Sequence, residues 1–123
     1  EYVIIIGNKN KTPAPWVNVI ANPNFGTIIS EGGSAYTWTE NAHELRLTSW
    51  NNDPVSDTCG EAFYIRDEDS GRFWSTSLLP SGGLSSYITR HGFGCSVFEH
   101  IEDGIHSEMT VYVGIAAAIK VHV

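Results

Sequence analysis

Short runs of apolar, β-branched and aromatic positions recur along almost the whole chain, with polar turn signals between them. That is the pattern of half-buried strands, not of amphipathic helices. The runs read as strands are 2–6, 16–20, 25–30, 35–39, 45–50, 62–66, 72–75, 87–91, 94–101, 105–113 and 115–123. Between them stand Asn22-Pro23-Asn24, Glu31-Gly32-Gly33, Asp53-Pro54, Asp69-Ser70-Gly71, Ser81-Gly82-Gly83 and Asp103-Gly104. Many short strands at this spacing predict a single all-β domain over 1–123, an antiparallel β-sandwich.

One hairpin can be read in register. With Glu102-Asp103-Gly104 as a three-residue loop, Ile101 faces Ile105, Val97 faces Met109, Cys95 faces Val111 and Phe93 faces Val113. One face is then wholly apolar, and the other sets His100 opposite His106 beside Glu108. A two-residue loop would oppose Glu99 and Glu108 and divide the apolar residues between faces, so the three-residue loop is expected.

A chain of 123 residues can bury about two-thirds of its surface in one core. Its net charge of −7 rests on 14 acidic residues against only 7 Lys and Arg, scattered singly. A nucleic-acid surface needs clustered cations, so no nucleic-acid partner is expected. No apolar run reaches the roughly 20 residues that cross a bilayer as a helix. Cys59 and Cys95 lie far apart without a CxxC or a histidine at zinc spacing, so free thiols are expected and no structural metal.

The imidazoles of His100 and His106 with Glu108 could hold part of a metal site, but a polar sheet face is the expected reading. Asp67-Glu68-Asp69-Ser70-Gly71 lacks the closing Glu of a calcium loop and reads as a hairpin turn. The tryptophans at 16, 38, 50 and 74 could offer flat faces to sugar rings. Trp50 is the foremost, because polar Asn51-Asn52-Asp53 follows it. Glycosidic-bond chemistry needs a placed carboxylic acid. Nothing in the carboxylate spacing singles one out, so no catalytic residue, no metal and no cofactor is assigned.

The stretch TPAPWVNVIANPNFGTIISEGGSAYTWTENAHELRLTSWNNDPVSD, then GEAFYIRDEDSGRFWS, RHGFG and GIHSEMTVYV, resembles the N-terminal domain of the cellobiose-type glycoside phosphorylases. The series is similar also to the corresponding region of cyclic β-1,2-glucan synthases. The resemblance implies a galactose-mutarotase-like supersandwich, here incomplete, and a fragment of a larger multidomain enzyme. The expected partners are a catalytic helical barrel in the same polypeptide, a β-glucan or oligosaccharide, phosphate in the parent enzyme, and a second copy of the protein. A cytoplasmic location is expected, with the parent anchored in the inner membrane if it is a synthase.

On this reading the fragment alone is inactive and supports the barrel. Arg46, Trp50, Asn51 and Asn52 are the candidate substrate-binding residues, on a loop where a strand signal turns polar. Arg46 is expected to anchor that loop by a charged hydrogen bond. The alternative is an independent carbohydrate-binding module.

Overall fold

In the computed structural model, which describes residues 1–7, 10, 12–51, 53 and 55–123, the short runs form ten strands in three antiparallel sheets. Five strands pair in the order β1 (Tyr2–Ile6), β7 (Tyr87–Gly92), β8 (Cys95–Glu102), β9 (Ile105–Val113) and β10 (Lys120–His122). A second sheet holds β2 (Val17–Asn22), β3 (Phe25–Ser30) and β4 (Ala35–Thr39), and β5 (Tyr64–Arg66) pairs with β6 (Phe73–Ser75). There is no helix among the described residues.

Period-two alternation decides which side chains meet between the sheets. Ile20, Ile29 and Ala35 from the smaller sheet pack on Phe98, Met109 and Val111 from the larger one. Polar residues on the same inner faces find partners, as buried polar groups must. The Asn18 amide donates to Gly92 O, Cys95 O and Ser96 Oγ at 2.9–3.1 Å. Four residues on, Asn22 donates to Gly114 O and Ala117 O at 2.8 and 2.9 Å.

The β8–β9 hairpin corrects the expected register. Glu102 pairs with Ile105, Ile101 with His106, Phe98 with Met109 and Glu99 with Glu108. The turn is therefore the two-residue Asp103-Gly104, with φ of 50° and 78°, the left-handed pair that matches strand twist. Two compensations offset the features that argued against it. Arg90 lies 2.7 Å from Glu99 and relieves the like-charge pair. His100 and Glu102 are tolerated inside because both are partnered. The His100 ring stacks on Tyr87 with centroids 3.7 Å apart and planes 4° apart, and its Nδ1 lies 3.2 Å from Ser86 O.

Glu102 Oε2 accepts the N–H groups of Leu84 and Ser85 at 2.8 and 3.2 Å, while Arg72 donates to Oε1 at 3.1 Å. His100 and His106 thus stand on opposite faces, and the three-ligand metal arrangement does not form. Two expected strands are also shortened or lost. Segment 45–50 makes a single bridge, Trp38 with Arg46. The last run pairs only from Ile119 to Val123, with the strand itself at Lys120–His122, because Gly114 and three alanines, poor strand formers, precede it.

Candidate functional site

The outer face of the smaller sheet carries a groove lined by two of the four candidate residues, Trp50 and Asn51. After β4 the chain turns at Glu40, φ 56°, and the Asn41 side chain accepts the N–H groups of His43 and Glu44. It then runs back along β4, with Thr39 N donating to Leu45 O at 3.0 Å and Leu47 N to Thr37 O at 2.8 Å. This return places Trp50 over Tyr36, ring centroids 5.3 Å apart, and Arg46 5.2 Å from the centre of the Trp50 ring. Arg46 Nε donates to Ala42 O at 3.1 Å, a charged hydrogen bond that closes the turn.

The loop is also fixed from inside. Thr48 Oγ1 accepts the Thr37 N–H and donates to Glu61 Oε1 at 2.7 Å. Thr37 Oγ1 reaches the same oxygen, and Lys120 Nζ holds Oε2 at 2.5 Å. Burial pushes the Glu61 carboxyl up, but the bonds from Lys120, Thr37 and Thr48 outweigh it and hold the group below its ordinary value. Burial likewise lowers Lys120, against the pull of Glu61. Gly60 passes so near the loop that a β-carbon would overlap Ser49 O and Ala35 O. Only glycine fits there.

The resulting concavity holds about 270 Å³. Pro15, Val17, Ile28, Tyr36, Trp50 and Asn51 are among the residues that line it. Trp50 is 43 % exposed, so its indole is lining, not core. Asn52 lies outside the described residues.

The far end is polar and carries residues that the sequence did not single out. Asp57 sits there at φ 46°, a region a non-glycine residue adopts at a cost. Ser30 Oγ donates to its Oδ2 at 2.6 Å, and Ser34 Oγ donates to Thr58 O at 2.7 Å. Burial raises the Asp57 carboxyl above its usual range; the Ser30 bond opposes this and nearby Glu31 adds to it. Asp53 also lines the groove, but its Oδ1 is taken by the N–H groups of Val55 and Ser56. Glu31 is engaged by Thr12 and by Trp16 N. No cluster of three or more metal-ligating side chains occurs among the described residues.

A family model for the supersandwich domain of glycosyl hydrolase 94 matches residues 1–123. The chain belongs to that family. This supersandwich domain is 38 % identical over 113 residues to the cyclic beta-(1,2)-glucan synthase NdvB of Rhizobium meliloti (strain 1021), covering 88 % of the chain and 4 % of the relative. It is 34 % identical over 116 residues to the N,N'-diacetylchitobiose phosphorylase of Vibrio proteolyticus, covering 92 % and 14 %. It is 25 % identical over 114 residues to the solabiose phosphorylase of Paenibacillus borealis, covering 90 % and 15 %. The supersandwich therefore spans a small fraction of the curated relatives it matches.

Proposed function

We propose that this supersandwich is the supporting β-domain of a glycoside phosphorylase or cyclic β-1,2-glucan synthase, and that the loop segment carrying Arg46, Trp50, Asn51 and Asn52 meets a β-linked glucan or the rim of a catalytic helical barrel. The match along the whole chain to a glycosyl hydrolase 94 domain carries the reading. The named relatives supply the substrate classes. On this reading phosphate is handled by the barrel, and the reacting carboxylic acid lies there too. The unpaired outer edges of β1 and β10 among the described residues favour association of two copies. The location that goes with it is cytoplasmic, at the inner membrane if the parent is a synthase.

An independent carbohydrate-binding module is the second reading, favoured by the open groove with its half-exposed Trp50. Kinetics of Trp50→Ala in the full-length enzyme test the first. A rim contact raises KM or lowers kcat, with a stability loss below the about 3–5 kcal/mol of a buried aromatic. Unchanged kinetics, together with glucan affinity of the isolated chain, would favour the module instead.

A further inference from the structure

We propose that Asp57, with Asn51, forms the polar end of a subsite for one uncharged pyranose ring, and that this subsite excludes sugar phosphates and inorganic phosphate. The inference rests on the saccharide reading above and adds the ligand's charge class and the residue that selects it.

Three observations carry it. The first is size and shape. At about 270 Å³ the groove falls just under the roughly 300 Å³ at which pockets for drug-sized ligands begin. It suits one ring, not a long glucan. Its apolar lining of Val17, Ile28 and Tyr36 with the Trp50 indole suits the C–H face of a sugar, while Asn51, Ser34 and Asp57 stand where hydroxyls would point.

The second is charge. The described lining residues include two carboxyls, Asp53 and Asp57, and no Lys, Arg or His. Arg46 lies outside that lining and is occupied with Ala42 O and the Trp50 ring. A phosphate dianion would meet like charge with no counter-ion among the described lining residues. Hydroxyls, in contrast, donate well to a carboxylate.

The third is the backbone. Asp57 is held at φ 46° with one oxygen fixed by Ser30. That bond fixes the Asp57 carboxyl at the groove lining, where a ligand hydroxyl can meet it.

The test uses the full-length protein with the Trp50 indole N–H assigned in the NMR spectrum through Trp50→Phe. The probes are the β-1,2-linked glucose disaccharide, glucose 1-phosphate and inorganic phosphate. The disaccharide is expected to shift the Trp50 signal saturably, and both phosphates to need at least tenfold higher concentration. Asp57→Gly, which accepts the left-handed backbone, is expected to weaken the disaccharide at least tenfold. Asp57→Asn, which keeps an acceptor for Ser30, should weaken it less. If the disaccharide shifts the Trp50 signal of both Asp57 variants at concentrations within twofold of those the parent needs, Asp57 is not the polar arm and the inference fails alone. Phosphates that shift Trp50 as readily as the disaccharide overturn the charge selection. A Trp50 signal that no saccharide moves overturns the saccharide reading, and the inference with it.

Discussion

Lys120 Nζ stands 2.5 Å from Glu61 Oε2, and through Thr48 this pair connects the edge strand β10 to the loop that carries Trp50. Both side chains are largely buried, so removing one partner leaves an uncompensated charge inside. Lys120→Met should cost about 3–5 kcal/mol in urea denaturation. Adding Glu61→Gln, which keeps acceptors for Thr37 and Thr48, should recover part of that loss. A Lys120→Met protein within about 1 kcal/mol of the parent would contradict this role.

His122 gives a pH prediction. Burial, with Lys120 beside it, lowers its pKa to about 4, and Glu61 opposes the shift only in part. Its ring lies 4.3 Å from that of Phe63, and its Nδ1 has no hydrogen-bond partner among the described residues. The unfolded imidazole takes its proton near pH 6.5, whereas the folded one resists until about pH 4. Stability conferred by neutral His122 is thus complete above pH 6.5 and lost as pH falls toward 4. His122→Phe should flatten that part of the stability profile. His91, also lowered by burial, should leave a smaller residual slope. An unchanged slope in His122→Phe counts against the assignment.

Gly83 tests the packing under the 83–85 loop. A β-carbon there would lie 2.7 Å from His100 Nε2 and closer still to Glu102 Oε2. Gly83→Ala must push both groups away from their partners, and a loss of about 1–3 kcal/mol is expected for overpacking of this kind. The same change at Gly71, where a β-carbon meets nothing but φ is +72°, should cost only the left-handed backbone penalty of about 1 kcal/mol. Equal losses at the two sites would show that the buried carboxylate is not the constraint.

The hairpin register can be checked at Asp103. Asp103→Asn keeps a residue that tolerates φ 50° and gives up only the exposed ion pair with Arg72, 2.6 Å. Its cost should stay below about 1 kcal/mol. Asp103→Val cannot adopt that backbone without strain and should lose about 1–3 kcal/mol. If both variants melt like the parent, the two-residue turn is not what sets the register.

The strand pattern was legible because strand-forming runs and turn residues are local signals. Runs 2–6, 25–30, 35–39 and 105–113 are rich in β-branched, aromatic and other apolar residues, and the strands observed keep their limits. The hairpin register was not legible, because the criterion of an apolar face fails where buried polar groups are partnered from afar. Glu102 is only 4 % exposed, and it is held by Arg72 and two loop N–H groups that no local pattern reveals. In the groove, Arg46 and Trp50 could be picked out as a polar turn following a strand signal. Asp57 could not, since its place depends on Ser30, 27 residues earlier, and on a backbone conformation with no residue-type marker.

The two β2 asparagines have a mechanical consequence. Asn18 grips carbonyls of the opposite sheet, at Gly92 and Cys95, and Asn22 grips those of Gly114 and Ala117 in the connection between β9 and β10. Sliding one sheet past the other by a single residue would tear all four contacts at once, so shear is closed to this domain. A push on the β7–β8 or β9–β10 connection must therefore carry the smaller sheet, and the groove on its back, along as one lever.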